Sequence, residues 1–283
     1  MGQEPASGQD DLPRKCVFCG GDNPVETQLW PSCIEQFFPD SELPRLQALA
    51  SRGNPDGAEA PTRAAGTRRP LACAACTTGW IEPLGEKARG FLEPVLHGGR
   101  AELTAEQVKV LSGCICLVAM SAAFLTRHCG ICPGDRAHLR HTGQPPKNWS
   151  LFVAGLTGTS WSRSWKHHPY RIEFAGNPLT THSKGGRVYT TFNTQLMSMG
   201  IGPLFFHIFS TPSLPLLSDF EMFSRQQGLT QIWPAPRRFG VLPPARLRLP
   251  PELTLTDAEA GALADRFADG LHRRMARVMA TAA

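Results

Sequence analysis

Two Cys-x-x-Cys pairs, Cys16 with Cys19 in CVFC and Cys73 with Cys76 in CAAC, constrain the fold of this 283-residue chain more than any other feature. A two-residue spacer lets both thiolates of a pair face one point, and two such pairs complete a tetrahedron around zinc. Four thiolates leave no open coordination position for water, so the expected role of a bound Zn2+ is structural rather than hydrolytic. A thioredoxin-like use fits poorly, because neither pair sits between a strand and a helix of a βαβ unit. No histidine precedes His97. The N-terminal unit therefore has no imidazole of its own for proton transfer.

Around these pairs the order of the chain suggests a treble-clef arrangement. Residues 1–14 read as a disordered tail. Gly20 and Gly21 follow the first knuckle and permit the tight backbone that turns amides toward sulfur. Residues 39–70, rich in Pro, Gly, Ala, Arg and Asp, read as a long loop between the two halves of one zinc site. Beyond the second knuckle, Ile81, Leu84, Ala88, Phe91, Leu92 and Val95 recur at helical spacing. Thr78 is the expected cap of that helix, and Gly98 with Gly99 its end.

Thr104 and Gln107 form a capping box that opens a second helix to about Leu125. Its uncharged part, residues 110–125, is short for a bilayer span and contains Ser112, Gly113 and Ser121, so a buried core helix is expected. Strands are expected over 150–155, 170–175, 187–193 and 203–209, paired antiparallel because no long helical crossover lies between them. A proline-rich stretch follows. Thr256 and Glu259 then cap an amphipathic helix to about Ala280, with Leu263, Phe267, Leu271, Met275 and Val278 on its apolar face. The expected fold class is α+β, with an N-terminal treble-clef zinc module packed on helices, a mainly antiparallel sheet region and a C-terminal helix. The expected division is 15–127 and 128–283.

The net charge of +5 favours polyanionic partners only weakly. Nine cysteines, an odd number without a secretory leader, fit a reducing cytoplasmic setting with no membrane attachment. Cys129, Cys132, His138 and His141 have a spacing that suits a second metal, with Cys114 and Cys116 as alternative ligands. Nine Lys or Arg residues against two acids lie between Arg127 and Arg187. Interleaved with tryptophans, they suggest nucleic-acid contact, and Arg163, Lys166, His167 and His168 form the best local cluster for it.

The run CVFCGGDNPVETQLWPSCI, the run CAACTTGWIEPLGEKARGFLEPVLHGG and the capped helix LTAEQVKVLSGCICLVAM resemble a bacterial family of HNH-endonuclease-like zinc proteins. The resemblance covers roughly Cys16 to Phe124, and TQIWPAPRRFGVLPPA resembles the same family's Trp-Pro ending. The four cysteines, Trp30, Pro31, Gly79 and Trp80 keep the family's pattern. The resemblance implies a general-base histidine where Gln28 stands and an asparagine where Thr77 stands. Glutamine cannot deprotonate water near neutral pH. The resemblance thus implies the fold while leaving the catalytic positions degenerate. The expected function is a DNA-binding or protein-interaction module that leans away from being an enzyme. One alternative is a metal-dependent endonuclease using Glu26 or Glu82 with His97. Another is a structural subunit of a larger assembly.

Overall fold

A computed structural model describes residues 15–22, 24–25, 27–28, 31–35, 68–69, 71–125, 131–162, 164–170, 172, 181–184, 187–190, 193–234 and 246–281. The expected tail and most of the expected 39–70 loop lie outside these residues. In the N-terminal half, β1 (Thr27–Gln28) pairs antiparallel with β2 (Arg68–Arg69), and α1 (Ser32–Glu35) follows β1 in sequence. Next come α2 (Ala74–Cys76), a π-helical turn (Thr77–Ile81) and α3 (Glu82–Leu96) without a break. β3 (Ala101–Leu103), α4 (Ala105–Leu125) and α5 (Pro133–Thr142) complete this half.

The second half contains β4 (Trp149–Leu156), β5 (Trp165–Tyr170), β6 (Thr181–Lys184), β7 (Arg187–Thr190), β8 (Thr194–Ile201) and β9 (Leu204–Ser210). After α6 (Leu214–Gln226) come β10 (Thr230–Trp233), β11 (Leu247–Leu249), β12 (Thr254–Leu255) and α7 (Asp257–Thr281). The main sheet has the antiparallel order β10-β4-β9-β8-β5, and β12 adds to β4 in parallel. This is a mixed helix and antiparallel-sheet architecture, as the α+β expectation held.

Side chains alternate across the strands, and both faces of the sheet are covered. One face offers Leu151, Val153, Met199 and Phe206 to the core shared with α3 and α4. The other offers Phe152, Leu196, Phe205 and Phe209 to Phe220 of α6 and Leu263 of α7. α4 is long and apolar enough to cross a membrane, yet its residues from Leu111 to Ala123 are buried inside the first of these cores. Its capping box forms as expected: the Thr104 amide donates to Gln107 Oε1 at 2.9 Å, and the Gln107 amide donates to Thr104 Oγ1 at 3.3 Å. Thr256 and Glu259 cap α7 in the same reciprocal way.

The expected strand over 170–175 is displaced. The strand is β5, ending at Tyr170, and most of 171–175 lies outside the described residues. The sequence WKHHPY is misleading because its polar side chains find partners on other elements: the Lys166 ammonium pairs with Asp265 of α7, and His167 Nε2 lies 3.1 Å from Gln195 Oε1. β5 ends the sheet order, which accommodates Pro169 and its missing amide. β8 was not anticipated, since TQLMSMGI lacks a polar alternation; a strand buried on both faces does not need one.

Two positions expose how tightly this core is set. A Cβ added to Gly113 in α4 would lie 2.0 Å from the backbone oxygen of Gly143, the left-handed residue that ends α5. Gly113→Ala should therefore cost about 2 kcal/mol in urea unfolding, because backbone has to move to admit the methyl. His207 is fully buried against Phe220, with Nδ1 2.8 Å from Ser198 Oγ. Burial, with His168 adding to it, pushes the His207 pKa down to about 3. Its folded-state pKa lies below the unfolded value near 6.5, so the unfolded chain binds the proton first and stability falls as pH falls between the two. Chemical denaturation between pH 6.5 and 5 should show a loss approaching about 1.4 kcal/mol per pH unit from this group. His207→Gln should remove that part of the slope.

Candidate metal centre

The first knuckle is a closed turn. The Cys16 amide donates to Gly21 O and the Gly20 amide to Cys16 O, both at 2.8 Å. Gly20 adopts φ 72°, the left-handed conformation the turn requires. Behind it, the Gly21 amide donates to Cys19 Sγ at 3.4 Å, the backbone-to-sulfur contact expected of this glycine pair. The two knuckles are then tied by backbone: the Val17 amide donates to Leu71 O at 2.8 Å and the Val25 amide to Ala72 O at 3.1 Å.

The second knuckle is the start of a helix. Cys73 is the N-cap of α2, its carbonyl accepts from the amides of Cys76 and Thr77 at 3.0 Å, and Cys76 itself is helical. Thr78 is consequently not a cap. It lies inside the π-helical turn, one turn later than the true start, and its hydroxyl donates to Ala74 O at 3.0 Å. Residues that can donate back to the chain are ambiguous in sequence between cap and interior.

The four sulfurs of Cys16, Cys19, Cys73 and Cys76 all lie within 4.8 Å of one another, and those of Cys19 and Cys73 are 3.6 Å apart. A tetrahedron of thiolates at the usual zinc distance has edges of about 3.8 Å. The donor set, its number and its spacing thus fit Zn2+, and the group can hold a metal. Burial raises the Cys16 thiol, but amides of Cys73, Cys19 and Phe18 turned toward it outweigh that and bring its pKa to about 7. Burial of Cys76 acts the other way and raises its pKa despite the nearby Trp80. A cation at the centre of the cluster would favour every thiolate over its thiol.

The remaining sequence-derived residues are scattered. Gln28 sits in β1 opposite Arg68, and Glu26 lies outside the described residues. Thr77 turns its hydroxyl back to Cys73 O at 3.2 Å. Glu82 opens α3, where burial and Glu86 raise its carboxyl pKa, and Glu86 is held by Arg89 at 2.7 Å. His97 ends that same helix, with Nδ1 2.9 Å from Glu93 O. Fifteen positions of helix separate Glu82 from His97 by about 22 Å, so the pair cannot serve one reacting phosphate.

Of the second cysteine and histidine cluster, Cys129 lies outside the described residues. Cys132 is the N-cap of α5 and accepts the Asp135 amide at 3.3 Å, while His138 and His141 lie farther along the helix. Among the described residues, only the four N-terminal cysteines form a group able to hold a metal. Arg163 is outside the described residues. Lys166, His167 and His168 are 9%, 7% and 4% exposed, so they form no basic surface, contrary to the expectation for this segment. Sequence reading also missed the buried Ser198 and His207 pair, whose members sit opposite each other on β8 and β9. It resembles a nucleophile and its base, but full burial and the depressed histidine pKa make it a core hydrogen bond.

No protein family, curated protein or solved structure matches this chain. Cys73→Ala removes one of the four sulfurs and should abolish stoichiometric zinc in metal analysis and lower the melting temperature by several degrees. Its zinc content should be compared with that of Cys132→Ala, which should retain the metal.

Proposed function

We propose that the N-terminal half is a zinc-stabilised treble-clef unit of HNH type that has lost its catalytic groups, and that the protein works by binding a partner. The observation that carries this reading is the gathering of four sulfurs at one point, a closed set with no position for a metal-bound water. The placement of Thr77 and the separation of Glu82 from His97 add to it, since among the described residues neither leaves an imidazole beside the cluster. A reducing cytoplasmic setting would keep the thiolates available.

Between DNA and a protein as partner, the burial of Lys166, His167 and His168 favours a protein. Buried cations are withdrawn from a phosphate backbone. The role is then that of an interaction or assembly subunit.

Incubating the purified zinc protein with supercoiled plasmid and Mg2+ or Mn2+ tests the absence of cutting; the plasmid should stay supercoiled. Nicking that tracks the protein and disappears in Glu82→Ala would restore the nuclease alternative. A titration of labelled duplex DNA at rising salt separates the partners: tight, steeply salt-dependent binding would overturn the preference for protein.

A further inference from the structure

The four sulfurs are not equally provided with hydrogen-bond donors. Cys19 Sγ receives the Gly21 amide, and Cys16 is approached by amides of the knuckle turn. Cys76 lies in a helix, so the amides after it point back along the axis to carbonyls rather than to its sulfur. One polar group is placed to fill that gap. Trp80 stands four residues after Cys76, on the same side of the helical run. Its Nε1 is buried and has no hydrogen-bond partner of ordinary geometry, and the indole lies one turn from the Cys76 sulfur. The ring is held in place by Phe18 of the first knuckle, edge to face at 5.1 Å and 81°.

An orphan indole N–H is costly in a core, and tryptophan is usually buried only where that group finds an acceptor. A thiolate drawn onto zinc is such an acceptor, and donors around metal ligands set ligand orientation and metal affinity. We infer that Trp80 is a positioning residue of the metal centre, donating its indole N–H to the Cys76 thiolate while its ring locks the second knuckle against Phe18 of the first. The inference rests on the zinc reading above. The donor withdraws charge from the sulfur, which slows both the loss of metal and the attack of electrophiles on that thiolate.

Trp80→Phe removes the N–H and keeps a ring against Phe18. A second variant, with benzothiophene replacing the indole at Trp80, removes the same group at nearly constant shape and decides the matter if Trp80→Phe folds poorly. Full-length proteins would be loaded with Zn2+ and challenged with a chromogenic chelator, then loaded with Co2+ for absorption spectra. Both variants should hold one metal but release zinc about 10-fold faster, with the sulfur-to-cobalt charge-transfer band moved to lower energy. A merely structural role for the ring would leave that band unmoved in the benzothiophene protein. Unchanged release and an unchanged band in that protein would overturn the donor and leave the zinc reading standing. Wild-type protein that binds neither metal would overturn both.

Discussion

The burial of α4 is the constraint on which the remaining packing depends. Its uncharged stretch has no exposed side, so every layer around it must be apolar and closely fitted. The sheet supplies one wall through Val153, Met199 and Phe206, and α3 supplies another through Ala88 and Leu92. Ser112 shows how few polar atoms this arrangement tolerates: its hydroxyl reaches Val108 O at 2.8 Å within the helix and Ile232 O of β10 at 3.0 Å. Removing water from such a side chain is affordable only because its hydroxyl is satisfied on the spot.

The cysteine unit belongs to this core, with Val17, Phe18, Ile34 and Leu71 buried in the same cluster as α3 and α4. Pro31 lies against Gly85, where an added Cβ would come within 2.4 Å of the proline Cβ. Arg89 donates to Ser32 Oγ at 2.7 Å, and the Cys33 thiol lies 3.5 Å from Gly85 O. These bonds join α1 to α3, against which Cys33 and Ile34 are fully buried. A segment of this size has too small a core to hold itself together by burial alone, and metal coordination is the usual supplement. The gathered sulfurs and the burial shared with α3 are therefore two complementary holds on this segment.

What could be read from sequence follows the range of the interactions involved. The two capping boxes, the Gly20 turn and the α4 core helix depend on residues close together in the chain, and each was legible. The four sulfurs were legible too, because metal chemistry fixes ligand type and spacing. Lys166 and Thr78 were not. Lys166 looks exposed until Asp265, contributed by α7 from far along the chain, is brought beside it, and Thr78 looks like a cap until the helix is seen to start at Ala74. A basic side chain or a threonine has two plausible fates, and the choice is made by partners that periodicity does not reveal.

The helical run that begins at Ala74 carries Cys76 in its first turn and Leu96 in its last, crossing a π-helical turn. Such a run rises about 34 Å along its axis, and the π-helical turn, Pro83 and Pro94 each interrupt its i→i−4 ladder. Its far end lies against Gly202, where an added Cβ would sit 3.2 Å from Leu96 Cδ2, beside the turn between β8 and β9. The sulfur cluster and the sheet thus lie at opposite ends of one helical run. A rearrangement at Cys76 therefore meets the π-helical turn and two prolines, places where a helix bends, before it reaches the hairpin between β8 and β9.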